Sequence, residues 1–370
     1  MKSVYNKITR SRDDLCCLIN WGSAMRYFNL TGLGLVISAI IALAVPPVQA
    51  ATNWTCNIFP GPKHFVNIDT KAWGKDVEKV TKNEVKVNFL PSNAAPPPKQ
   101  LNGIVAGTFD CALIFHGFTG KQAIGPQYAI LPFLNAGNAE VGSVAFWRTW
   151  ERHFAAKKEF ESKGIKILSQ YHFVGVHFFT SKDNPITSMA DMKNMKMWAL
   201  AGTTSRTLKA AGVNHVSGPA ARMAEFTQTK VVQGIAGATN TGMVVFAGTK
   251  FPKWGTFTKG SIMAPSFAWM LDKNKWDALT AGQRAAISSV SGEKMARAIG
   301  KRADEFEVKF AKKLDGVGVK RMQASNAFEA ELRKAANPQI QAWIKRAATI
   351  GVDGNQVIED YKKIVANLSR

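Results

Sequence analysis

The sequence predicts an α/β protein of two lobes with a cleft between them, followed by a long helix and a helical carboxyl-terminal region. Two observations carry this expectation. From residue 54 strand-like and helical segments alternate, and the alternation resumes near residue 165, which is the pattern of a parallel sheet with crossover helices. From Trp276 onward the apolar residues keep helical spacing almost to the end. With 370 residues, 46% of them hydrophobic, the chain is long enough for two domains of ordinary size.

The first fifty residues read as a leader. Arg26 precedes an apolar run over 32–45, and Pro46-Pro47-Val48-Gln49-Ala50 follows. A basic start, a short apolar stretch and small residues describe a secretory signal peptide. The run is shorter than the ~20 residues that span a bilayer. Met25 stands where such a peptide begins, so the signal peptide is expected at 25–50, with 1–24 upstream of the true start. An uncleaved membrane anchor is the alternative. The mature chain is expected to begin near Ala51.

The elements then follow in order. Residues 54–59 (WTCNIF) form a strand that Gly61-Pro62 ends. Trp73, Val77 and Val80 set a helix over 69–82, residues 83–90 alternate as a strand, and the prolines of 91–98 make a loop. A short helix over 101–107 and a strand over 109–115 complete the first set. Strands are expected at 165–168, 174–180, 195–200 and 213–216, and helices at 203–211 and 219–230. The longest helix is expected at 283–313, and a last helical region at 328–368. The divisions that result are 51–175 for the first lobe, 176–270 for the second, and 271–370 for the long helix and tail, packing on both lobes.

Composition narrows the function. The 48 Lys and Arg against 26 Asp and Glu give a formal charge of +22, but these residues are scattered, as at Lys301-Arg302, Lys309 and Lys312-Lys313, and no nucleic-acid-binding signature accompanies them. No nucleic-acid partner is expected. Cys16 and Cys17 fall in the leader. Cys56 and Cys111 lie in strands that a parallel sheet can place side by side, either bonded or as two buried thiols. Cys and His never recur at zinc spacing, so no metal is expected. Nucleophile-elbow, phosphate-loop and zinc-protease motifs are missing, and neither catalysis nor a cofactor is expected.

The run Pro185 to Gly237 is the most informative. Pro185, Asp191, Lys193, Lys196, Gly212, Gln228, Val231, Val232 and Gly234 fall in the order and spacing of the solute-binding subunits of tripartite ATP-independent periplasmic (TRAP) transporters, dicarboxylate-binding type, which this chain resembles. Leu131-Pro132-Phe133, Gly107 with Asp110, and Trp276 with Leu279 extend the resemblance across nearly the whole mature chain. It implies a two-lobe periplasmic binding protein fold with a hinge cleft and a long bracing helix. It also implies a periplasmic receptor that closes on a small organic solute and delivers it to membrane permease subunits; a monomer is expected. A receptor or sensor for another transport system, or a periplasmic enzyme on the same scaffold, are the alternatives.

The departures from that family concern the ligand. Its main carboxylate-holding Arg is Trp198 here, and a second Arg is His177. A Glu becomes Arg222, the Asp of its valine-rich motif becomes Gln233, and a nearby Asn aligns with Gly237, with Asn240 close by. Trp offers one N–H and no charge. Three readings stay open. The solute is aromatic or an amine and meets Trp198 as a stacking or cation–π face. A carboxylate site is rebuilt on Arg222 and His177. Or Trp198 packs at the hinge. Trp54 and Phe59 on the first strand, and His116 and Phe118 after the third, sit where loops are expected to face the cleft, and Trp269, like Asn240, comes at a later crossing of the second lobe; these complete the expected ligand contacts.

Overall fold

The computed structural model describes residues 51–370; the expected signal peptide at 25–50, Cys16 and Cys17 lie outside them. The described strands are β1 (Thr52–Asn57), β2 (Val85–Phe89), β3 (Cys111–Phe115), β4 (Ile165–His172), β5 (His177–Thr180), β6 (Met197–Leu200), β7 (His215–Gly218), β8 (Gly234–Ala238), β9 (Trp254–Phe257), β10 (Ser266–Asp272) and β11 (Lys320–Gln323). They form two sheets, one of order β2-β1-β3-β10-β4 and one of order β11-β9-β5-β8-β6-β7. In the first, β1 is parallel to β2 and β3, and β10 runs antiparallel between β3 and β4. In the second, β6 is parallel to β7 and β8, while β5 is antiparallel to β8 and β9.

The expected strands of both lobes form within a few residues of their predicted positions, and the two-lobe α/β architecture with them. The long-range connections differ from expectation. The boundary expected at residue 270 falls inside β10, which belongs to the first sheet, and the tail returns β11 to the second. Neither β9, β10 nor the helix Ala139–His153 was anticipated. The helix expected over 283–313 is two, Ala281–Ser288 and Gly292–Asp315. Ser291 is extended and Gly292 sits at φ +54°, a left-handed conformation that ends helical propagation. The last region likewise divides into Asn326–Ala348 and Gly354–Leu368 around Gly351, at φ +67°.

Helix ends are capped by their own sequence. His64 Nδ1 accepts from the Val66 N–H at the start of Phe65–Val80, and Asn138 accepts from Val141 at the start of Ala139–His153. Thr280 and Gln283 form a reciprocal capping box. Trp73 turns inward from Phe65–Val80 and donates its indole N–H to Ser291 Oγ at 3.1 Å.

Two extended segments cross between the sheets and are bonded to each other, Phe173 N–H to Pro265 O at 2.8 Å and Val176 N–H to Met263 O at 3.0 Å. The helix Gly292–Asp315 braces both lobes with two carboxylates about one turn apart. Asp304 accepts from the Ala139 and Glu140 N–H groups in the first lobe, at 2.7 and 2.9 Å. Glu307 accepts from the Asn240 and Thr241 N–H groups in the second, at 2.6 and 3.0 Å. The parallel register of β1 and β3 sets Cys56 opposite Cys111, and the two are joined by a disulfide. The choice the sequence left open is thus made in favour of the bond.

Candidate functional site

An apolar cleft opens between the two sheets. It gathers at the places where chain leaves a strand, as ligand sites in α/β folds do. Phe59 follows β1, Phe115 ends β3, Phe118 lies in the turn after it, and Leu200 ends β6. Pro219-Ala220-Ala221 follow β7, and Gly237 and Ala238 end β8.

Seven phenylalanines line it: Phe59, Phe65, Phe115, Phe118, Phe173, Phe246 and Phe267. Their rings form a continuous surface. Phe118 meets Phe115 edge-on at 5.1 Å between centroids, Phe115 meets Phe267 at 5.2 Å, Phe267 meets Phe173 at 4.3 Å, and Phe173 meets Phe65 at 4.8 Å. These lie within the 4.5–7 Å range of favourable aromatic pairs or just under it. His64 adds its ring, stacked on Phe65 at 4.7 Å and on Phe246 at 5.8 Å. Burial lowers the His64 pKa to about 4, so its ring is neutral near pH 7.

The opposite wall is small. Gly237 is held at φ +98°, and a Cβ there would come within 2.7 Å of Leu200 Cβ, so the backbone of β8 approaches closely only because the residue is glycine. Polar groups at the cleft are few. Thr239 Oγ1 accepts from the Gly242 N–H at 2.8 Å. Glu307, part-buried, also accepts from Thr241 Oγ1 at 3.1 Å, and burial pushes its pKa up while the accepted bonds oppose that. Among the described residues, no Lys or Arg lines the cleft.

Of the residues singled out from the sequence as ligand contacts, Phe59 and Phe118 line the cleft. Asn240 is buried between the lining residues Thr239 and Thr241, its backbone bonded to Glu307 and its Oδ1 accepting from Arg321 at 3.5 Å. Arg222 also has lining neighbours, Ala221 and Met223, but its guanidinium is exposed and paired with Glu225 at 2.6 Å. Trp198 is fully buried on β6, its Cα partners being Val216 and Ile235 on the flanking strands. His177, on β5, packs its ring 4.5 Å from Phe257, and burial, with Arg321 nearby, lowers its pKa to about 4. Trp54 and Trp269 are fully buried in the first sheet, with Trp269 edge-on to Trp73 at 5.8 Å. His116 is fully buried, its Nδ1 3.0 Å from Ser266 Oγ, and burial lowers its pKa to about 3.

Apart from Phe59 and Phe118, the ring wall was not foreseen in the sequence, nor was Glu307. The available signal was the rule that ligands sit at the carboxyl ends of strands. It points to Phe59, Phe115 and Gly237, whereas Trp54 and Trp269 lie inside their strands.

This architecture is shared by known proteins. A TRAP periplasmic solute-binding protein from Bordetella bronchiseptica, crystallised with (R)- and (S)-mandelate, superposes with a TM-score of 0.79 at 23% identity, covering 86% of this chain and 99% of that one. A marine metagenome TRAP solute-binding protein, specific for aromatic acids and crystallised with 3-hydroxybenzoate, superposes with a TM-score of 0.76 at 23% identity, covering 86% and 99%. Among curated proteins, the outer membrane transporter protein TsaT of Comamonas testosteroni is 33% identical over 332 residues, 89% of this chain and 96% of that protein. Residues 57–346 match the family model of the bacterial extracellular solute-binding proteins, family 7. That match supports the receptor but not the narrower dicarboxylate label. The chain belongs to bacterial extracellular solute-binding protein family 7: it is a TRAP-type receptor that captures a small organic solute outside the cytoplasm for membrane permease subunits.

Proposed function

We propose that the cleft binds a small aromatic solute by packing its ring against the phenylalanines, and that capture and release are the whole task, without a catalysed reaction. The observation that carries this is the lining itself, which among the described residues has seven phenylalanines and no Lys or Arg. Apolar pockets with a few placed polar groups are the usual form of small-molecule sites. The ligands of the two similar structures, mandelate and 3-hydroxybenzoate, are single-ring compounds, which agrees with this reading. Of the sequence-derived contacts, Phe59, Phe118 and the Asn240 segment stay in the proposed site. Trp198 acts from beneath, as core of the sheet that carries the small wall.

A thermal-shift screen of single-ring compounds against aliphatic mono- and dicarboxylates tests this. A ligand at a hundredfold excess over its Kd stabilises the fold by about 2.7 kcal/mol, so single-ring compounds are expected to raise the melting temperature clearly. A response to aliphatic dicarboxylates alone would refute the aromatic reading. Recovery of a chemically altered solute after incubation would refute the absence of catalysis.

A further inference from the structure

We infer that the start of the helix Thr203–Ala210, together with the Thr204 hydroxyl, holds the carboxylate of an aromatic acid bound in this cleft. This rests on the aromatic reading above and adds a head group to the ring. The helix follows β6, and its start lies where the two walls meet. A Cβ on Gly202, just before the helix, would come within 3.3 Å of Gly117 Cα, beside Phe118 of the ring wall. A Cβ on Gly237, in the small wall, would meet Thr204 Cγ2 at 3.1 Å. Thr203 Oγ1 donates to Ile130 O of the first lobe at 2.7 Å. Phe118, Leu200 and Gly237 line the cleft around this junction.

Donors are left over at that start. A helix leaves its first N–H groups without internal partners, and Gly202 has no side chain to cap them. Arg206 is the first residue of the helix whose N–H is bonded, to Gly202 O at 3.2 Å. The N–H groups of Thr203, Thr204 and Ser205 meet no acceptor among the described residues. The Thr204 hydroxyl is fully buried and also has no partner there. A buried helix start with idle N–H groups and an idle hydroxyl is complemented by an anion. The other N–H groups at helix starts around the cleft are already used. His64 Nδ1 accepts from Val66, Glu307 from Asn240 and Thr241, and Thr239 Oγ1 from Gly242.

The local charge has the right sign. Arg206 donates to Thr203 Oγ1 at 3.2 Å and to Gln339 Oε1 at 2.9 Å, and no carboxylate pairs with it among the described residues. Burial, and then the nearby Arg346, lower its pKa. Arg346 donates in turn to the carbonyl of Gly120, two residues past Phe118, at 2.6 Å. An anion at the helix start would ease this crowding of positive charge.

The test is calorimetric titration with benzoate and benzyl alcohol, which share a ring and differ in the head. The protein is expected to bind benzoate about tenfold or more tightly than the alcohol. Thr204→Val keeps the shape of the side chain and removes its hydroxyl. It is expected to lose about tenfold for benzoate and to stay within about threefold for benzyl alcohol, which also reports an intact cleft. Thr204→Ser should restore the benzoate affinity. On the unmodified protein, benzoate should shift the backbone amide resonances of Thr203, Thr204 and Ser205, and benzyl alcohol should leave them in place. That measurement decides if Thr204→Val does not fold. Benzyl alcohol binding as tightly as benzoate, or benzoate binding with these amides unmoved, would overturn the carboxylate site while leaving the aromatic cleft standing. Silence from both probes, with succinate binding and weakened in Thr204→Val, would sink the aromatic reading and leave the helix start standing.

Discussion

The two walls of the cleft are built on different principles. The first-lobe wall is a run of large rings, Phe118, Phe115, Phe267, Phe173 and Phe65, each in contact with the next. The second-lobe wall is mostly small, with Ala220, Ala221, Gly237 and Ala238. Rings supply contact area at little cost in side-chain entropy, and small residues let backbone come close. In the proposed site one wall would grip a flat solute, and the other would set how much room it has. The first wall is also the more constrained, because the Cys56–Cys111 bond ties the strands that lead to Phe59 and Phe115.

Acid is expected to have the largest effect and to reach the aromatic side first. Burial lowers the pKa to about 4 for His64 and His177, and to about 3 for His116 and His172. An unfolded chain binds these protons near pH 6.5. The stability these neutral rings permit is therefore complete above pH 6.5 and is lost as the pH falls from there towards 4. Urea melts at pH 7, 6 and 5 should show a falling midpoint. Three of the four histidines lie in the first lobe, so hydrogen exchange should weaken there before the second sheet.

Removing the disulfide ranks next. It closes a loop with a sequence separation of 55, for which the chain-entropy model gives about 4 kcal/mol. The double substitution Cys56→Ser with Cys111→Ser should lower the urea stability by about that amount, and an unchanged melt would show that the bond does not constrain the aromatic wall. Ala238→Leu should narrow the small wall. It is expected to weaken solute binding at least tenfold, at a stability cost of about 1–3 kcal/mol, read by titration and urea melt together. The smallest effect belongs to Arg222→Ala. Its guanidinium is exposed and paired with Glu225, so melting temperature and solute affinity should both stay unchanged. A loss of affinity would revive the carboxylate site rebuilt on Arg222.

The elements of the fold were largely legible, because periodicity is a local signal. Strand exchange was not. Nothing local marks β10 as a member of the first sheet or β11 of the second, since both places are settled by pairing across long separations. The site was partly legible for the same reason. Phe118 follows its strand directly and could be placed. Trp198 stands where the family carries a charge, and the structure gives that position a fully buried ring. Glu307 looks like one charge among many on an amphipathic helix. Only the packing of that helix against Asn240 and Thr241 distinguishes it.

In the proposed site the phenylalanine wall, and not the strand position of Trp198, holds the solute. Calorimetric titration of the best single-ring ligand against Phe118→Ala, Phe173→Ala and Trp198→Phe tests it most directly. The two phenylalanine variants should each lose about tenfold or more in affinity, while Trp198→Phe stays within about threefold and shows its cost in stability instead. Unchanged binding in both phenylalanine variants, with a large loss in Trp198→Phe, would contradict the account.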